Sequence, residues 1–304
     1  EDLVLISGLS GYEINVRNYL KIYLKKKSLN TTSDVLGNLI CTMQGDESLP
    51  SVILFAHMDQ LGFVVKKIEN NGFLRVERVG GIPEKSLASQ DIVIVNNNNE
   101  LIKGIIGNKS HHATKPDEKY NVTPIKNIYV DAGFKNKSDV LKNGIEIGSP
   151  VTYAPYYKQL SNNNVCGSSL DDRAGCVVIL NVAISLMKLK KRPTVHIVFS
   201  VQEEFNLRGI LPVINSLKPK IAIQVDLSLS SDTPDMTDTS DIILGKGPCI
   251  SLFSFHGRGT LNGVIPHKSI VEVFEKSAKL KKINLQRSVA SGILTDASYV
   301  QFAN

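Results

Sequence analysis

"FSVQEEFNLRG", residues 199–209, begins as an apolar strand and ends on two adjacent glutamates, Glu203 and Glu204. A carboxylate held dry and unpaired costs on the order of several kcal/mol. Two arrangements avoid that cost. Either the strand ends in water, or a cation gathers the carboxylates at the rim of the core.

The surroundings of this stretch set the fold class. Before it, "DDRAGCVVILNVAISLMKLKK" reads as a helix and "TVHIVFSV" as a strand. After it come a helix in "LRGILPVINSL", a strand in "IAIQVD" and a helix in "PHKSIVEVFEKSAKLKK". Near the start of the sequence a helix over roughly residues 12–27 precedes the strand "SVILFA", which runs into "HMD". Near-continuous apolar strands alternating with helices predict an α/β fold, a mainly parallel sheet with helices on both faces. Residues 63–165 have a different texture. The short alternating runs "GFVVKKI", "FLRVERV", "DIVIV" and "LIKGII" are separated by turns such as "NNG" and "NNNN". That pattern predicts a small all-β insert. The α/β domain is therefore expected in two pieces, 1–62 and 166–304, around an inserted β domain at 63–165.

Composition narrows the function. With 42% hydrophobic and 21% charged residues among 304, the chain has the balance of a soluble globular protein. A net charge of +6 raises the question of nucleic acid. The lysines are scattered, however, and the longest basic run, Lys25–Lys26–Lys27, closes a predicted helix, where cations suit the helix dipole. No nucleic-acid partner is expected. No run approaches the about 18 apolar residues of a membrane span, so no membrane partner is expected either. Cys41, Cys166, Cys176 and Cys249 are far apart and form no CxxC. That spacing predicts a reduced, cytoplasmic chain without a disulfide framework or a cysteine zinc site.

Open α/β sheets carry their ligand sites at the carboxyl ends of the strands. Three predicted strands end here in metal-type side chains: His57 and Asp59 after "SVILFA", Glu203 and Glu204 after "FSVQ", and Asp226 after "AIQV". A fourth acidic group, Asp171 and Asp172 in "LDDR", lies where the insert returns to the main domain. Taken singly, each has an ordinary reading: the acids of "LDDR" as helix capping, His57 as a core histidine. Three strand ends of the same chemistry point instead to a metal site.

These residues resemble the tetrahedral aminopeptidases, a cytosolic dinuclear-zinc group that includes glutamyl and deblocking aminopeptidases. The matching stretches are "AHMDQLGF", "GGI", "SLDDRAG", "VQEEFNLRG", "VDLSLSSDTPD", "LGKGP" and "TDASYVQF", in family order along nearly the whole chain. The resemblance implies a metal-dependent aminopeptidase acting on short peptides. It implies two divalent ions per chain, zinc first, with cobalt or manganese as alternatives. His57, Asp171 and Asp226 would hold one ion, and Asp171 would bridge to a second that Glu204 also binds. Glu203 is implied as the general base and Asp59 as the carboxylate orienting His57. The chemistry agrees, because zinc takes imidazole nitrogen and carboxylate oxygen, and ligating histidines are usually held by an acceptor on the other ring nitrogen. The resemblance further implies a homo-oligomer in which a PDZ-like insert mediates dimerisation and the dimers assemble to a hollow dodecamer. A carboxypeptidase or amide deacylase on the same core, and a non-catalytic assembly subunit, are the competing readings.

Two catalytic zinc ions ask for about six ligand positions. The four proposed ligands, with Asp171 counted twice, fill five. The resemblance places a histidine near the family's C-terminus in the sixth, so the protein is expected to continue beyond Asn304 and to supply it. Within this sequence His256, in "FHGRGT", is the nearest substitute. The glycine-rich "LGKGP" and "HGRGT" read either as backbone at the active-site wall or as plain tight turns. Gln60 stands where the family commonly has Glu, and "SGILTDAS" replaces a more glycine-rich version. Both departures bear on the substrate pocket.

Overall fold

The computed structural model describes residues 1–237, 239–257 and 262–303. Arg258, Gly259 and Thr260 of "HGRGT" lie outside the described residues. The central sheet has five strands in the order Thr32–Ser33, Leu39–Met43, Val195–Ser200, Val52–His57, Ile221–Gln224. Val52–His57 pairs in parallel with both Val195–Ser200 and Ile221–Gln224. Leu39–Met43 runs antiparallel to Val195–Ser200 and to the short edge strand. The sheet is thus mixed, and the expected parallel arrangement holds only in the half that carries the predicted ligands.

Alternation along the central strands explains why both faces need helices. Leu54, Ala56, Ile197 and Phe199 face one way, packing with Val16, Leu20 and Leu24 of the helix Ile14–Lys26 and with Cys176, Ile179, Leu180 and Ala183 of the helix Leu170–Leu186. Ile53, Phe55 and Val198 face the other way, against Ile210, Val213 and Ile214 of the helix Ile210–Leu217. All six residues of Val195–Ser200 are buried, which is why this strand reads as an unbroken apolar run.

The insert is a closed barrel of six strands. In barrel order these are Gly62–Ile68, Leu74–Val79, Val130–Asp131, Leu101–Ile106, Asp91–Val95 and Pro150–Tyr153, all paired antiparallel. Phe63, Val65, Leu74, Val76, Ile94 and Val151 fill its interior. Closure leaves no unpaired strand edge. A two-stranded ribbon, Tyr157–Gln159 with Val165–Gly167, leads the chain back to the helix Leu170–Leu186.

Beyond the central sheet, Cys249–Phe255 pairs in parallel with Gln286–Ser291 across the helix Lys268–Lys281 and antiparallel with Gly263–Val264. These strands form a separate three-stranded sheet, which the sequence reading did not anticipate. Among the described residues no helix is long and apolar enough to cross a membrane.

The parallel register matters most for the site. His57 lies opposite Ser200, and Gln224 lies opposite Phe55, so Asp226, two residues beyond Gln224, continues that strand's direction to the level of His57. Because Phe199 is fully buried in the core beneath that edge, Phe199→Ala should cost about 3–5 kcal/mol in urea unfolding. A loss under about 1 kcal/mol would contradict this packing.

Candidate metal centre

The level strand ends bring the predicted residues together. His57 is the last residue of its strand and almost wholly buried. Its Nε2 lies 3.0 Å from Asp171 Oδ1 and 3.9 Å from Glu203 Oε2, and its Nδ1 lies 3.3 Å from Asp59 Oδ1. Two overlapping groups, His57–Glu203–Asp226 and His57–Asp171–Glu204, each place their ligand atoms within 4.8 Å of one another. By distance alone, Glu203 is a candidate ligand as well as a candidate base. Asp171 is the exposed member of the cluster and marks its open side.

The helix Leu170–Leu186 grips the His57 backbone from both directions. The His57 amide donates to Asp172 Oδ2 at 3.3 Å, and the Cys176 thiol donates to the His57 carbonyl at 3.1 Å. Asp172 therefore does different work from its neighbour. Its other oxygen accepts from the Gly175 amide at 3.0 Å, and a Cβ on Gly175 would collide with that carboxylate. "LDDRAG" thus combines an exposed acid for the site, a buried acid for the scaffold, and a glycine that makes room for the second.

In the turn after Val195–Ser200 the Leu207 and Arg208 amides donate to the Glu203 and Gln202 carbonyls, at 2.9 and 3.1 Å, while the amides of residues 201–204 all go to side-chain acceptors. The Val201 amide donates to Asn38 Oδ1 at 2.9 Å and the Gln202 amide to Glu13 Oε1 at 3.1 Å. The Glu203 and Glu204 amides donate to the two oxygens of Asp59, at 3.0 and 3.1 Å. Asp59, fully buried, also accepts from Ser10 Oγ at 2.6 Å. Gly209 closes the turn against the Val201 carbonyl, where a Cβ would clash.

The electrostatics follow from many acids in a dry place. Burial pushes Glu203 up to about 10, with Asp296, Asp226 and Asp59 adding to it and His57 opposing. Burial likewise raises Glu204 to about 7 and Asp226 to about 6, with His57 opposing and Asp171 adding. Asp59 goes the other way: burial would raise it, but His57, Ser10 and the Glu203 amide outweigh burial and hold it below the ordinary carboxylate range. Burial also opposes charge on His57, yet Asp171, Asp59 and Glu203 hold it well above its ordinary value. An imidazole backed by a carboxylate and surrounded by further carboxyl groups is a donor set that fits divalent cations.

Several residues of this arrangement were not singled out from sequence. Glu13, Asn38 and Ser10 reach the site from the N-terminal segment. Asp296, in "TDAS", is fully buried and accepts from Ser200 Oγ at 2.8 Å; burial pushes it up to about 7. Arg173 is buried and donates to the Leu3 and Ile6 carbonyls, tying the N-terminal segment to the helix. His196 is buried within its strand, its ring 3.0 Å from Thr42 Oγ1.

A histidine and carboxylates at the carboxyl ends of parallel strands, in a sheet interrupted by a closed barrel, form a candidate metal centre in an α/β fold. The sequence model of the M42 glutamyl aminopeptidase family matches residues 37–304, and the chain belongs to that family. It is a peptide hydrolase of the aminopeptidase kind. SgcX of Escherichia coli (strain K12), itself provisionally classed as an aminopeptidase, is 38% identical over 296 residues, covering 97% of this chain and 79% of its own. Aminopeptidase APDkam598 from the archaeon Desulfurococcus kamchatkensis superposes with a TM-score of 0.91 at 30% identity, over 100% of this chain and 82% of its own. The TET1 peptidase of Pyrococcus horikoshii, which can assemble into a tetrahedron or a large octahedral shell, gives 0.88 at 27% identity, over 99% and 86%.

The raised carboxyls predict how metal and pH act together. Asp226 and Glu204 sit at about 6 and about 7 in the folded chain, against about 4 when unfolded. Stripped of cations, the folded protein keeps protons that the unfolded chain has lost, so its stability falls as pH rises from about 4 to about 7. A cation takes the place of those protons. Adding divalent metal to chelator-treated protein should therefore raise Tm more at pH 8 than at pH 5. Equal gains at the two pH values would contradict the assignment.

Proposed function

We propose that the chain removes N-terminal residues from short peptides at a dinuclear centre held by His57, Asp171, Glu204 and Asp226, with Glu203 as general base. The convergence of these five side chains at one level edge of the sheet carries the reading. Divalent ions bound there, zinc first, would supply Lewis-acid polarisation of the scissile carbonyl, activation of a water and a seat for the free amine.

The chain's own residues divide the remaining work. Asp59 at His57 Nδ1 leaves Nε2 facing the cluster as a donor. Glu203 takes a proton from the attacking water and passes it to the leaving amine. Burial raises its affinity for a proton. Its backbone is fixed by Asp59, so the same carboxylate sets the direction of the histidine and of the base. The exposed side at Asp171 is where the peptide enters. Family membership favours an aminopeptidase over the carboxypeptidase and deacylase alternatives.

Residues 63–165 are read as a separate unit for dimerisation within a homo-oligomer, a dodecamer by family resemblance. Exposed apolar side chains on or beside the barrel, Leu101, Ile105 and Ile147, support that role. The free cysteines support a cytoplasmic setting.

Glu203→Gln should keep metal and lose about 10²–10⁴-fold in kcat. Near-wild-type turnover in that variant would remove Glu203 from the chemistry. Light scattering should give a mass several times that of one chain, and a monomer at all concentrations would refute the assembly.

A further inference from the structure

Four consecutive backbone amides, 201–204, end the strand that delivers the two glutamates, and each donates to a buried or half-buried side chain rather than to another strand. Asp59 serves two of them and touches His57 as well. Asn38 serves Val201 and also donates to the Gly209 carbonyl at 2.9 Å. The Gln202 amide is served by Glu13, which lies 189 residues away in sequence and is 4% exposed.

Gln202 is one of three non-glycine residues of the turn, with Asn206 and Leu207, that adopt a positive φ. Its φ is +55°, in the left-handed region that non-glycine residues rarely adopt. Such a conformation persists only where the surroundings impose it. Glu13 Oε1 accepts from the Gly11 amide at 2.7 Å and from the Gln202 amide at 3.1 Å, so one oxygen clamps the N-terminal loop to the turn immediately before the proposed base.

We infer that Glu13 is a positioning residue for Glu203 and Glu204, acting through the Gln202 backbone. This rests on the reading of Glu203 as base and Glu204 as ligand. The clamp needs an acceptor oxygen at that point and no negative charge, because amide donors bind a carboxyl, a carboxylate or a carboxamide oxygen alike. Burial, with Asp59 adding, already pushes Glu13 up to about 7. Loss of the acceptor releases Gln202 toward ordinary backbone conformations. The turn then drifts, and Glu203 leaves the position from which it serves the reaction, a displacement to which rates are steeply sensitive.

The test compares Glu13→Ala and Glu13→Gln in the full chain, with kcat normalised to bound metal and hydrogen exchange followed in the peptide containing residues 202–204. Glu13→Ala should lower kcat about 10–100-fold with KM nearly unchanged, and should speed exchange in that peptide. Glu13→Gln, which keeps the acceptor, should recover most of the rate and of the protection. If the alanine variant does not fold, Glu13→Met fills a similar volume without an acceptor and takes its place. Unchanged kcat and exchange on losing the acceptor would overturn the inference. So would a glutamine variant as impaired as the alanine or methionine one, since the charge would then be what matters. The exchange readout does not depend on catalysis, so it separates failure of the clamp from failure of Glu203 as base.

Discussion

The Asp59 carboxylate is out of contact with water and makes four contacts to protein. One oxygen takes the Glu203 amide and faces His57 Nδ1; the other takes the Glu204 amide and the Ser10 hydroxyl. A buried charge survives only when its oxygens are this fully occupied, and removing any partner leaves the remainder uncompensated. The consequence for the site is geometric. The end of one strand, the turn after a second and the N-terminal loop must all arrive at a single carboxylate. The parallel pairing of Val52–His57 with Val195–Ser200 makes that meeting possible.

The same crowding explains the electrostatics. Glu203, Glu204, Asp171, Asp226 and Asp296 surround one imidazole, and the buried guanidinium of Arg173 lies among Asp59, Glu13 and Asp172. His57 and Arg173 together cannot balance that many acids. Burial first, and repulsion among the acids after it, pushes most of the carboxyls upward, and Asp59 alone among the buried ones is held down. A cluster that stores this much repulsion gains from cations, which is why it serves a metallopeptidase fold. A chain using these acids only for scaffolding would have left more of them in water.

The parts legible in the sequence were those written in local patterns. Buried strands such as "VHIVFS" and the helix at Leu170–Leu186 follow from hydrophobic spacing, and His57, Glu203 and Asp226 stood out because each ends or follows such a strand. Strand direction is not local. "LICTM" has the same apolar texture as its neighbour yet runs antiparallel to it, so the sheet proved mixed. The small sheet around Cys249–Phe255 was not read as strands at all, because its strands are only partly buried and lack the continuous apolar run of the central ones. Asp172 was hidden behind Asp171 as a capping acid, because burial on one side of a turn cannot be read from two identical letters. Glu13 and Asn38 gave no signal at all, since their partners lie 189 and 163 residues away.

The central claim is that His57, Asp171, Glu204 and Asp226 hold divalent ions while Glu203 stands free of them. Anomalous diffraction from crystals grown with zinc tests it directly. Two peaks are predicted, with imidazole and carboxylate atoms of those four residues at about 2.0–2.2 Å from the ions, and with Glu203 beyond bonding distance of both. Direct ligation by Glu203, or peaks away from this cluster, would contradict the account.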